Sequence, residues 1–200
     1  MSWGILEEGK LGMRPNWEEF FMALAVVYSS RSSCRNVRAG SVLVEDKHIV
    51  GVGYNGAPSQ IPSCYSTSCS KERQGLKYEK SLNTGTCVGI HAEMNALGNL
   101  TRRNLQEIQL YTTIFPCHDC AKNLLPYNLK EVFFKSVYSE KELESTIKLF
   151  EDADVLVTQL NLGPERFLDI LFNLHPKFER KFDVWGPEEK NKIKELISFF

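Results

Sequence analysis

The residues able to do chemistry cluster in two short stretches, Ile90-His91-Ala92-Glu93 and Phe115-Pro116-Cys117-His118-Asp119-Cys120. A catalytic Zn²⁺ takes three protein ligands from His and Cys and keeps a fourth position for water. His91, Cys117 and Cys120 supply that set. Glu93 is left over, and a carboxylate beside a metal-activated water is the proton carrier such a site requires.

The spacing dictates how helices must present these groups. Cys117 and Cys120 stand three apart, so both thiolates face one side of a helix that begins there. Pro116 suits the helix entry, having no N–H to leave unpaired. The positive end of that helix favours thiolate over thiol. Residues i and i+2 point to nearly opposite flanks, so His91 and Glu93 converge only on a target above the N-terminal end of their helix. Two helix N-termini facing one zinc are therefore expected. Two thiolates and a neutral imidazole cancel the charge of the ion, and the metal brings the pKa of water to roughly neutral. Hydroxide can then attack an amidine-like carbon such as C4 of cytosine, while Glu93 carries the proton to the ring nitrogen and assists departure of ammonia. His-x-Glu or Cys-x-x-Cys alone is common. Together, opening successive helices with Pro before the first cysteine, they match the signature of zinc nucleobase deaminases. A structural Cys₂His zinc site is the competing reading, and it leaves Glu93 without a task.

Alternating elements surround these stretches. Asn16 is placed to cap a helix, with Glu18 and Glu19 in its first turn and Phe20, Phe21, Leu24 and Ala25 following at helical spacing. Residues 1–15, with three glycines, read as a flexible lead-in. Ser41–Glu45 and His48–Tyr54 form an expected hairpin around Asp46-Lys47. Residues 56–88 are a long irregular insert. Helices from His91 and Cys117 alternate with strands at Ile108–Thr113 and Glu131–Phe134, followed by a helix over Glu140–Glu151 and a strand over Val155–Leu160. This order implies an α/β sandwich around a mostly parallel sheet, with the main domain over 16–160. Further helices are expected over Pro164–Leu174 and Pro187–Phe200, in a helical extension over 161–200 packed on the domain. The first of these reads as a buried apolar face of Phe167, Leu168, Ile170 and Leu171.

Cys34, Cys64, Cys69 and Cys87 remain. Cys64 and Cys69 are spaced as paired zinc ligands often are, and Cys87 lies one turn before His91. A structural Cys₄ zinc would pin the insert to the first helix and to the helix of His91, with Lys71, Arg35 and Arg38 offsetting its charge. The alternative is that these are buried or free thiols. Three cysteines plus water or a side chain form a variant of the site.

Composition sets bounds. The net charge of −1 provides no basic field of the kind long nucleic acids attract. No apolar run is long enough to span a bilayer, and the acidic residues near Met1 do not suit a secretory signal. A cytoplasmic protein is expected, in which six cysteines are metal ligands rather than disulfides.

The stretch from about Arg14 to Leu160 resembles the deoxycytidylate deaminases of the cytidine deaminase-like superfamily. The resemblance rests on Arg14-Pro15-x-Trp17-x-x-Phe20-Phe21-Met22, on Arg31-Ser32-Ser33-Cys34 and on Gly53-Tyr54-Asn55-Gly56-Ala57-Pro58. His91-Ala92-Glu93-Met94-Asn95-Ala96 and Phe115-Pro116-Cys117-x-x-Cys120-Ala121-Lys122 complete it. It implies a three-layer α/β/α sandwich with a mixed five-stranded sheet, dCMP as substrate, and dUMP as product and thymidylate precursor. It further implies that Asn55 bonds the deoxyribose 3′-hydroxyl, that the Ala92 N–H donates to the base carbonyl and that the Phe115 carbonyl accepts from the exocyclic amine. Tyr138 would flank the base. Arg102 would help form a neighbouring subunit's site in a homo-oligomer, with a hexamer favoured. The resemblance also implies the second zinc, and dCTP and dTTP as effectors with Mg²⁺. Competing readings are a deaminase of another cytosine or related nucleotide, and a catalytically silent zinc-stabilised binding or assembly protein.

Overall fold

A computed structural model of the chain describes residues 3–73, 75, 87–102, 104–138, 140 and 143–172. In chain order the elements are β1 (Gly4–Glu7), α1 (Trp17–Ser29), β2 (Gly40–Glu45), β3 (His48–Tyr54), α2 (Ser70–Arg73), α3 (Ala92–Gly98) and β4 (Ile108–Ile114). They continue as α4 (His118–Leu124), a 3₁₀ turn (Leu125–Tyr127), β5 (Leu129–Ser136), α5 (Leu143–Asp152), β6 (Leu156–Asn161) and α6 (Pro164–Phe172). The sheet runs β1-β6-β5-β4-β2-β3. Its β2 is antiparallel to β3 and β4, and its other neighbours are parallel, so the sheet is mixed.

Local chemistry explains the boundaries. Asn16 Oδ1 accepts from the Glu19 N–H at 2.7 Å while Glu19 Oε2 accepts from the Asn16 N–H at 3.0 Å, a reciprocal cap that starts α1. Asp46 and Lys47 take φ of 46° and 61°, the left-handed pair that closes a tight hairpin between β2 and β3. The two faces of the sheet are covered differently. On one face, Phe21 and Met22 of α1 pack on Val42, Tyr111, Phe133 and Leu160. On the other, Ala96, Leu124 and Ile147 bring α3, α4 and α5 onto Leu43, Leu110 and Phe134. The result is the expected three-layer α/β/α sandwich.

The sheet has six strands rather than five, because the glycine-containing lead-in is ordered. Gly4–Glu7 pairs in parallel with β6, from Gly4 opposite Thr158 to Glu7 opposite Asn161. Trp3 donates its indole N–H to Gln159 and sets its ring edge-on to Phe134. Further on, the Gly9 N–H donates to Glu19. These are long-range partners, and a four-residue strand has too little alternation to announce them.

The second correction concerns α6. It presents Arg166 and Asp169 to the interior, while Phe167, Leu168 and Ile170 are half-buried and Leu171 is exposed. The buried Arg166 pairs with Glu19 of α1, with each side chain 1% exposed, and with Asp169. Its Nη1 also donates to the carbonyls of Lys10 and Met13. Phe167 and Ile170 pack against the core as expected, and a buried ion pair also fixes α6 to α1. The expected helix over Pro187–Phe200 lies outside the described residues. No helix among the described residues is long and apolar enough to cross a membrane.

Candidate metal centre and active site

His91 and Cys117 occupy the N-cap positions of α3 and α4, each with extended backbone and no side-chain capping bond. An N-cap residue normally uses its side chain to accept from the first turn. Here both side chains are directed elsewhere. His91 Nδ1 lies 3.5 Å from Cys117 Sγ and 3.4 Å from Cys120 Sγ. A tetrahedral zinc with Zn–S near 2.3 Å and Zn–N near 2.0 Å separates nitrogen from sulfur by roughly 3.5 Å. The three side chains therefore fit zinc. Among the described residues they are the one group of three or more His, Cys, Asp or Glu side chains whose ligand atoms lie within 4.8 Å of one another.

The three groups also interact strongly with one another before any ion is bound. Hydrogen bonding from Cys120 and His91 lowers the pKa of Cys117 to about 4 against the opposing effect of burial. Bonding to Cys117 raises His91 to about 9. Glu93 is 5% exposed, and burial raises its pKa although His91 opposes the shift. The site thus brings two sulfurs, an imidazole and a largely buried carboxyl together.

The surrounding framework sets these positions. β3 passes so close under α3 that a Cβ on Gly53 would collide with the Ala92 carbonyl and the Ala96 N–H. Asn95 and Asn99 donate from α3 to the Tyr54 and Val52 carbonyls at 2.7 and 3.0 Å, holding the helix on that strand. Phe115 donates its backbone N–H to the Ser136 carbonyl and wedges its ring edge-on against Phe134 and Phe150, which fixes the turn into Pro116-Cys117. Sequence reasoning missed the role of Gly53 and of the two asparagines. Their signal was present, since Asn95 and Asn99 are four apart on one helix face.

A cavity of about 140 Å³ opens over the metal group, lined in part by Asn55, Ala92, Glu93, Phe115 and Tyr138. Four of the five substrate contacts implied by the resemblance therefore share this wall. Asn55 is largely committed to the protein. Its Oδ1 accepts from the Ala39 N–H at 2.8 Å and the Ser32 hydroxyl at 2.6 Å, and its Nδ2 donates to Val37 at 2.9 Å. One Nδ2 hydrogen remains for a ligand. The fifth residue, Arg102, is ion-paired with Glu45, half-exposed, and does not line this cavity.

Cys34, Cys64, Cys69 and Cys87 line the same cavity. Cys64 and Cys69 are buried and Cys87 is exposed. No three of their sulfurs come within 4.8 Å of one another, so these four are neighbours without forming a ligand cluster.

A family model described as the cytidine and deoxycytidylate deaminase zinc-binding region matches residues 15–136. The chain belongs to that family. A deoxycytidylate deaminase of Mycobacterium phage D29 is 33% identical over 124 residues, covering 60% of this chain and 95% of the phage protein. That of Saccharomyces cerevisiae is 32% identical over 154 residues, covering 76% of this chain and 47% of its own, so the chain spans about half the length of this relative. The dCMP deaminase of cyanophage S-TIM5, solved in complex with dCMP and dUMP, superposes with a TM-score of 0.58 at 25% identity, covering 74% of this chain and 98% of that one.

Proposed function

We propose that the chain is a zinc-dependent deaminase that hydrolyses dCMP to dUMP and ammonia. The observation that carries the reaction type is the His91, Cys117, Cys120 group, spaced for tetrahedral zinc, with the buried Glu93 beside it. The choice of dCMP follows the relatives named deoxycytidylate deaminase and the cyanophage complex.

Zinc bound by these three residues supplies a water acidified to near-neutral pKa and a positive charge beside the reacting carbon. The protein does the rest. Glu93 accepts a proton at its carboxylate, delivers it to N3 of the cytosine ring and then assists the leaving amine, its burial favouring the neutral form between the transfers. The Ala92 N–H orients the base carbonyl, the Phe115 carbonyl orients the exocyclic amine, and Tyr138 flanks the ring. Asn55 offers its free Nδ2 hydrogen to the sugar while its remaining bonds keep residues 32–39 in place.

The same proposal includes a structural second zinc on Cys34, Cys64, Cys69 and Cys87, which share a cavity wall and would have to draw together around the ion. It also includes a cytoplasmic homo-oligomer, in which Arg102 serves a neighbouring subunit, and control by dCTP and dTTP with Mg²⁺. The dUMP formed would supply thymidylate synthesis. The test is ultraviolet absorbance of zinc-loaded protein with dCMP, with and without each effector and Mg²⁺. Conversion to dUMP that disappears in Glu93→Gln supports the reaction, and no conversion in any condition overturns it.

A further inference from the structure

We propose that residues 187–200 of the same chain dock as a helix, antiparallel to α1, on the apolar face that α1 turns away from the sheet. This contact anchors the C-terminal extension and does not depend on the deamination put forward above.

α1 is apolar on both sides. Its inner side carries Phe21, Met22 and Ala25 into the core. At about 100° per residue, Phe20, Leu24, Val27 and Arg31 recur on the opposite side, flanked by Trp17 and Tyr28. Trp17 is 42% exposed, Phe20 37% and Val27 39%, and Leu24 and Tyr28 are half-buried. Arg31, at the far end, is the one charged group among these six. Single exposed apolar residues are ordinary, but a contiguous row of them marks a contact surface. A helix that is apolar all round belongs in an interior.

The sequence supplies a segment cut to that row. Arg31, Val27, Leu24 and Phe20 follow one another at intervals of four, three and four residues, read towards the start of α1. Glu189, Ile193, Leu196 and Phe200 follow at the same three intervals, read in the chain direction. Laid antiparallel, the rows match position for position. Opposite charges meet at Arg31 and Glu189, and three apolar pairs fill the rest. Opposed helix dipoles favour the same orientation. The lengths agree as well, since the 13 residues of α1 span roughly 20 Å and a helix over 187–200 would span roughly 21 Å.

The attachment point is close by. α6 is locked to α1 through Arg166 and Glu19, and its Phe167 and Ile170 pack on the cluster that holds Phe21. Residues 173–200 lie outside the described residues. The stretch 173–186 joins Phe172 to Pro187 and can reach up to about 46 Å, more than twice the length of α1. A tether of that length holds the segment near α1 at an effective concentration on the order of millimolar, an advantage that a separate partner lacks.

The test follows hydrogen exchange and hydroxyl-radical labelling of the intact 200-residue chain, read residue by residue by mass spectrometry. Amides of 190–200 should exchange at least tenfold more slowly than in the isolated 187–200 peptide. Leu196→Glu should return them to the peptide rate and raise labelling of Trp17, Phe20 and Val27 at least threefold, with exchange in α3 and β4 unchanged. Leu24→Lys should release the segment in the same way, and combining it with Leu196→Glu should restore part of the protection. Amides of 190–200 that are unprotected in wild type overturn the inference. So does protection that Leu196→Glu leaves intact, or removes without uncovering α1. Protection that fades on dilution, in step with a falling mass by light scattering, assigns the face to a second copy and overturns it too.

Discussion

Glu93, the proton carrier proposed above, takes its character from its surroundings. It sits in the first turn of α3, where the helix end favours its anion, yet burial raises its pKa. Glu93→Gln keeps the volume and removes the proton carrier. Turnover of dCMP should fall by about 10²- to 10⁴-fold, while zinc content and Tm remain those of wild type. Steady-state kinetics beside metal analysis checks this, and loss of zinc would make Glu93 a structural residue instead. The ligands predict a second outcome. His91 and Cys117 occupy N-caps without capping bonds, so stripping zinc leaves two helix starts without the partner their side chains share. Chelation should abolish activity and lower Tm together, and added Zn²⁺ should restore both. The convergence of His91, Cys117 and Cys120 was legible in the sequence because few side chains bind zinc and their spacing is narrow. Lys71 was visible only as a nearby charge, because its place in the cavity wall depends on how an irregular insert folds.

Elements transmit this chemistry through close packing. Gly53 lets β3 run directly beneath the first turn of α3, and a methyl group there would meet backbone rather than a yielding side chain. Gly53→Ala should cost about 1–3 kcal/mol, the usual range for overpacking, and should weaken zinc binding by displacing His91. Gly98, in the last turn of the same helix, has open space within 4 Å of the point a methyl group would occupy, so Gly98→Ala should be neutral or stabilising by up to about 1 kcal/mol. Thermal melts and competitive zinc titration of both variants distinguish a packing requirement at Gly53 from a general sensitivity of α3. Most helices and strands were readable from period and caps, as at Asn16 and at Asp46-Lys47. β1 and the inner face of α6 were not, since each depends on partners about 150 residues away, Gln159 for Trp3 and Glu19 for Arg166. In α6 the apolar spacing announced Phe167 and Ile170, which pack on the core, but not the paired arginine that is buried beside them.

At the scale of the whole molecule, Glu19 joins the lead-in, α1 and α6. Its carboxylate accepts from Gly9 and Asn16 and pairs with Arg166, whose Nη1 also reaches Asp169. Removing one partner of a buried ion pair leaves an uncompensated charge, so Arg166→Met should cost about 3–5 kcal/mol. The double variant with Glu19→Gln should recover part of that loss, which denaturant unfolding of both proteins would show as a coupling between the two sites. The pair also has a pH signature. Burial alone would raise the pKa of Glu19, but the bonds from Arg166 and from the Gly9 and Asn16 N–H groups outweigh it and hold the carboxyl below its ordinary value. A group whose folded pKa is depressed adds stability that is fully present above its unfolded pKa, about 4.3 for Glu, and is lost as pH falls through the folded value. The Tm advantage of wild type over Glu19→Gln should therefore hold steady from pH 7 to about pH 5 and shrink below about pH 4. An advantage independent of pH would mean that Glu19 contributes through shape and hydrogen bonding alone, and that the charge of Arg166 is balanced by Asp169.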